Sequence, residues 1–125
     1  MGTHEAEEIV TRFVASFERH DVDELLDYFS EDAVWRPGPM NPVIGKAALR
    51  DAISAWFGGV TLLGVEIHMQ GSDGKTVMHE RTDRFVLGNR EMATPICSVF
   101  EIENGLITAW REYFDWPPRV RSQVT

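Results

Sequence analysis

The order of patterned segments predicts an α+β fold: three N-terminal helices packed on one curved, mainly antiparallel sheet, leaving a cone-shaped pocket. Three observations carry this prediction. Apolar residues recur at helical spacing in three short stretches before Gly59. After Val60 the pattern changes to strand-like runs. Those runs are joined by turn signals, of which Asn104-Gly105 is the strongest and Ser72-Asp73-Gly74 the next.

Taken in order, Thr3 caps a helix reaching about His20, with Ile9, Val10, Phe13, Val14 and Phe17 as its apolar stripe. Glu5, Glu7 and Glu8 suit its positive N-terminus. Asp21 and Glu24 form a capping-box-like start for a second helix, Val22–Phe29. Glu31–Trp35 reads as a short strand. Pro37–Gly45 has three prolines and two glycines, which predicts a stiff loop at a cavity rim. Lys46–Phe57 is a third helix, stopped by Gly58-Gly59. Val60–Gln70 places Thr61, Leu63, Val65, Ile67 and Met69 on one strand face. The strand Lys75–Phe85 follows. Glu91–Glu103 is a long strand in which Pro95 predicts a bulge or an edge. The last strand, Leu106–Trp116, is ended by Pro117-Pro118.

At 125 residues the chain suits one domain, residues 3–118, with a loose tail over Arg119–Thr125. A net charge of −8 without a basic cluster argues against nucleic acid or an anionic membrane as partner. Cys97 is the single cysteine, so neither an internal disulfide nor a cysteine metal cluster can form. The acidic N-terminus is unlike a signal peptide, and no apolar run would span a bilayer, so a cytoplasmic location is expected.

The chemistry concentrates in KTVMHERTDRF, residues 75–85. Strand alternation puts His79, Arg81, Asp83 and Phe85 on one face. The plain structural alternative is an exposed ion pair, because the opposite face is no more apolar. Asp115 stands among Trp110, Tyr113, Phe114 and Trp116, where burial would raise a carboxyl pKa. Its plain alternative is a cap at the strand end. An arginine between two acids would hold one as carboxylate and leave the other protonated, giving a general acid and a general base. Other motifs fail. Gly74-Lys75-Thr76 lacks the upstream glycine of a phosphate loop, since Met69 stands there. No serine lies in a nucleophile elbow. The four histidines have no metal-ligand spacing, so no metal is expected. Cys97, in a strand beside Ile96, reads as a small buried residue.

LLDYFSEDAVW (25–35), IGKAALRDAI (44–53), HERTDRF (79–85) and SVFEIENGLITAWREYFD (98–115) together resemble the limonene-1,2-epoxide hydrolases. That family lies in the wider group that includes nuclear transport factor 2, ketosteroid isomerase and SnoaL-like polyketide cyclases. The resemblance implies an Asp-Arg-Asp triad of Arg81, Asp83 and Asp115. It implies one-step, cofactor-independent addition of water to a small apolar epoxide. Asp115 would activate the water, Asp83 would protonate the epoxide oxygen, and Arg81 would bridge them. Trp35, Pro37, His79 and Phe85 would bind substrate, and the chain would form a homodimer. One departure stands out. The family holds its water with a tyrosine and an asparagine, and the matching residues are Trp35 and Pro37. Tryptophan only donates, and proline's side chain does neither. Asn41, His79 or His68 are the candidates to replace them. The alternatives are an isomerase, lyase or cyclase on the same scaffold, which need not hold a water, and a non-catalytic ligand-binding domain.

Overall fold

A computed structural model describes residues 3–116. The side chain of Thr3, the stop at Pro117-Pro118 and the tail Arg119–Thr125 lie outside the described residues. The elements are α1 (Thr3–Ala15), α2 (Val22–Leu26), β1 (Phe29–Pro37), β2 (Val43–Ile44), α3 (Lys46–Gly59), β3 (Val60–Ser72), β4 (Thr76–Leu87), β5 (Arg90–Glu103) and β6 (Leu106–Tyr113). Among the described residues the strands form one sheet in the order β2-β1-β6-β5-β4-β3. The β1–β6 pair is parallel and the others antiparallel. The expected α+β architecture is therefore present, with β1 crossing to pair beside β6.

The helices cover one face of the sheet. Val10, Phe13, Phe17, Leu25, Leu49 and Ile53 are fully buried against Phe29, Phe100, Ile107 and Trp110. Phe13 contacts Phe17, Phe29 and Trp110 edge-on, the arrangement that aromatic quadrupoles favour. This core closes one end of the molecule. At the other end the apolar wall opens into the cavity described below.

Several boundaries differ from the sequence reading. The first helix tightens after Ala15 into a 3₁₀ turn, Ser16–Arg19, and stops at His20, whose φ of 52° is left-handed. The second helix ends at Leu26, because the parallel pairing with β6 recruits Phe29 into β1. Gly58 and Gly59 lie within α3, which is capped by Val60. Val43–Ile44 inside the proline-rich loop pairs with β1.

Two register shifts in β3 overturn the expected face pattern. Each adds a residue and flips the faces beyond it. Leu62 is thus buried, while Leu63 and Met69 are 42% and 69% exposed. Pro95 keeps regular register with Thr82, without a bulge. Its paired partner on the other side is absent because β6 ends at Tyr113, opposite Cys97. Pro95 is therefore at a local edge, and a missing N–H there breaks no ladder bond. Asn104 and Gly105 form the hairpin turn with φ of 53° and 78°, both left-handed as a type I′ turn requires. Cys97 is exposed, contrary to the expectation of burial.

Candidate active site

Strand alternation in β4 turns His79, Arg81 and Asp83 inward, and all three are buried. β6 contributes the third charged group, and it is Glu112. Arg81 donates from Nε to Asp83 Oδ1 at 2.8 Å and from Nη2 to Asp83 Oδ2 at 3.3 Å. Its Nη2 also donates to Glu112 Oε2. Nη1 bonds Ser98 Oγ at 2.7 Å and His79 Nε2 at 3.0 Å. All five guanidinium hydrogens are thereby engaged. Beneath, the guanidinium carbon sits 5.7 Å from the centre of the Phe17 ring.

Asp115 does not join this cluster. β6 stops at Tyr113, and Asp115 is exposed beyond it, beside Gly38, Pro95 and Cys97 on a separate surface depression. The expected Arg81–Asp83–Asp115 grouping is corrected to Arg81–Asp83–Glu112. The signal was in the strand itself. Trp110 is fully buried, so a two-residue step turns Glu112 inward and odd-numbered Asp115 outward.

Glu112 is further held by Trp35, whose Nε1 donates to Oε1 at 2.9 Å. Trp35 lies opposite Trp110 in the β1–β6 pairing and stacks on it at 4.6 Å, with ring planes 8° apart. That stack fixes the indole. Trp35 is thus a donor committed to the carboxyl of Glu112.

The electrostatics follow from burial. Desolvation pushes the Glu112 carboxyl up, against the opposing pull of Arg81; the Asp83 charge adds to the rise. Burial alone would lower the Arg81 pKa, but the two facing acids raise it on balance, so its charge is permanent. His79 is pushed down to about 3, first by burial and then by the Arg81 charge. It is therefore neutral. Because Arg81 can only donate, His79 Nε2 must accept, which leaves the hydrogen on Nδ1 to donate to Gln70 Oε1 at 3.0 Å. Gln70 in turn donates to Thr11 Oγ1 at 3.1 Å, which ties the site to α1.

A consequence can be measured. The unfolded chain binds a proton at His79 below about pH 6.5, whereas the folded chain resists it down to about 3. Stability therefore falls as pH drops through that window, by up to about 1.4 kcal/mol per unit. His79→Gln keeps an acceptor toward Arg81 and removes the titration. Its urea midpoint is expected to fall less between about pH 7 and about pH 5 than that of the unaltered protein.

Asp83 and Glu112 open onto a cavity of about 570 Å³. Its wall is mainly apolar, with Trp35, Pro37, Trp56, Phe85, Ile96 and Phe114 among the lining residues. Of the residues expected to bind substrate, Trp35, Pro37 and Phe85 line this cavity. His79 does not; it is behind Arg81 and away from the wall. Phe114 packs on Gly38, whose φ is 56° and whose Cβ, if present, would lie 2.8 Å from the ring. Besides the two acids, Asn41 and Thr94 bring polar side chains to the wall, and Thr94 was missed in the sequence. His68 bonds Thr82 Oγ1 at 2.8 Å and is exposed, so it cannot serve the cavity. Among the described residues, no group of three or more His, Cys, Asp or Glu is placed to hold a metal. None of their helices is long and apolar enough to cross a membrane.

Comparison with known proteins agrees with this geometry. The model of the limonene-1,2-epoxide hydrolase catalytic domain matches residues 4–121. The chain is 32% identical over 106 residues to epoxide hydrolase EphG of Mycobacterium tuberculosis, covering 85% of this chain and 70% of that protein. A solved LEH-like epoxide hydrolase from M. tuberculosis superposes with a TM-score of 0.81 at 32% identity, over 90% of this chain and 84% of that one. The salinomycin enzyme SalBIII, described as epoxide hydrolase/cyclase-like, shares the fold at a TM-score of 0.77 and 22% identity, over 90% and 92% of the two chains. From the extent of the family match and the identity to EphG, the chain belongs to the limonene-1,2-epoxide hydrolase family and is a hydrolase of that type, built on the nuclear transport factor 2-like fold.

Proposed function

We propose that the protein adds water to a small, mainly apolar epoxide in one step, without a cofactor, and releases a vicinal diol. The observation that carries this reading is the Asp83–Arg81–Glu112 cluster at the wall of an apolar cavity. An epoxide needs its oxygen protonated and a water aligned behind the carbon. Two carboxyls sharing one proton can do both.

The fork from Arg81 to both Asp83 oxygens favours Asp83 as the carboxylate. The upward push on Glu112 favours that group as the proton carrier. In this reading Asp83 takes a proton from water while the water oxygen bonds to an epoxide carbon. The carbon–oxygen bond of the ring breaks, and Glu112 gives its proton to the departing oxygen. The proton then on Asp83 returns to Glu112 through solvent before the next turnover. This order is the reverse of what the family resemblance implies for the two strands. Arg81 remains charged throughout and keeps the site from carrying two uncompensated negative charges.

The test is single-turnover reaction of limonene oxide, cyclohexene oxide and styrene oxide with excess protein in ¹⁸O-labelled water. Direct addition predicts ¹⁸O in the diol from the first turnover. Unlabelled diol in that turnover would mean an ester intermediate on a carboxyl, and the absence of diol from every epoxide would reject hydrolysis. A homodimer, suggested by the family, and a cytoplasmic setting, expected from the sequence, remain part of the same proposal.

A further inference from the structure

Glu112 is held at both oxygens. Arg81 Nη2 donates to Oε2, and Trp35 Nε1 donates to Oε1 at 2.9 Å. The residues paired directly with Glu112 are Pro37 of β1, which has no side-chain donor, and Ser98 of β5, which accepts from Arg81 Nη1. Trp35 lies two residues before Pro37 and so on the same face of β1. Its ring is stacked on Trp110, with centres 4.6 Å apart and planes 8° apart, and Trp56 lies 6.2 Å away. Trp35 is 7% exposed and still lines the cavity. A glutamate turns about χ1, χ2 and χ3, so one hydrogen bond from Arg81 would leave the carboxyl plane free to swing. Donors on both oxygens, one from β4 and one from β1, fix that plane.

We propose that Trp35 is a positioning residue for Glu112: its indole N–H, anchored by the stack on Trp110, aims the carboxyl into the cavity and steadies its ionised form. The role in turnover rests on the hydrolase reading above, whereas the effect on the carboxyl itself does not. The charged groups facing Glu112 are Arg81 and Asp83 of β4, and His79 reaches it only through Arg81. Burial is the largest influence on the Glu112 carboxyl and pushes it up; Arg81 and the Trp35 hydrogen bond pull it down. Of these, the Trp35 bond is the one that can be removed without changing a charge. Losing a donor to an ionised acceptor moves its titration to higher pH, by about one to two units for a charge-assisted bond. That direction holds whichever half of the proton transfer Glu112 performs.

The experiment replaces Trp35 by phenylalanine and, through site-specific incorporation, by β-(3-benzothienyl)alanine, which keeps the indole shape with sulfur in place of the N–H. The same isostere at Trp110, whose Nε1 is buried with no hydrogen-bond partner, is the control. The Glu112 carboxyl is titrated without substrate, by infrared difference spectra against Glu112→Gln. The pH profile of kcat/KM, and kcat and KM separately, are measured for diol formation from whichever of the three epoxides the unaltered protein turns over best. In both Trp35 variants the carboxyl is expected to titrate about one to two pH units higher, and the limb of the profile set by Glu112 moves with it. In the Trp35 isostere KM is unchanged and kcat falls about tenfold or more, within the roughly 10²-fold that a displaced reacting group costs. The Trp110 isostere leaves the titration in place. The Trp35 isostere preserves the stack, so its result stands even where Trp35→Phe fails to fold. An unmoved Glu112 titration in the Trp35 isostere overturns the proposal. So does a raised KM with unaltered kcat in both Trp35 variants, which would make Trp35 cavity wall alone. Absence of diol from the unaltered protein rejects the hydrolase reading, and the carboxyl titration then decides the proposal by itself.

Discussion

Replacing Arg81 by methionine is expected to destabilise the protein by about 3–5 kcal/mol at neutral pH. Arg81 is 1% exposed and serves four side chains at once. Without it, Asp83 and Glu112 lose their counter-charge while buried, and Ser98 and His79 lose their donor. Total stability of a domain is on the order of 5–15 kcal/mol, so this one change removes a large share. The deficit has a sign in pH. It is largest where Glu112 ionises, and it shrinks as acid protonates that buried carboxyl. Arg81→Lys keeps a charge but offers no planar fork to Asp83, so it should recover only part of the loss. Urea unfolding at about pH 7 and about pH 5 checks both statements. Equal midpoints for Arg81→Met and the unaltered protein would mean that the cluster is not what holds this end of the sheet.

Removing either acid is expected to cost turnover far more than stability. Asp83→Asn and Glu112→Gln each delete one half of the proton transfer, an effect on the order of 10²–10⁴-fold. Both amides are close in shape to the acids, and each can still accept from Arg81 through its carbonyl oxygen. Asp115→Asn is the contrast. Asp115 is exposed beyond the end of β6 and lines a different depression from Asp83, so diol formation should stay close to that of the unaltered protein. The three variants together decide which acid of the last strand does the chemistry.

The fold was readable because its signals are local. Helical stripes, the Asn104-Gly105 turn and strand alternation each depend on a few neighbouring residues, and alternation alone turned Arg81 and Asp83 to one side. What escaped depends on distant pairing. The shifts in β3 are set by its partner β4, so Leu63 and Met69 were grouped on one face with Val65 and Ile67 and are instead exposed. The end of β6 at Tyr113 was extended through Trp116 because the aromatic run continues past the strand. That extension kept Asp115 in view and hid Glu112, although the parity from Trp110 favoured Glu112. Thr94 carried no signal, since a threonine in a strand is ordinary. Only its pairing with Asp83 and its unpartnered hydroxyl distinguish it.

The most direct test of the acid–base assignment is to measure diol and azido-alcohol formation by Asp83→Asn and Glu112→Gln side by side. If Asp83 is the base, azide bypasses its loss, and Asp83→Asn forms azido-alcohol at close to the native rate while making almost no diol. Glu112→Gln, lacking the acid, stays slow with either nucleophile. The opposite pattern, azide restoring Glu112→Gln but not Asp83→Asn, would contradict the account and return the two carboxyls to the order the family resemblance implies.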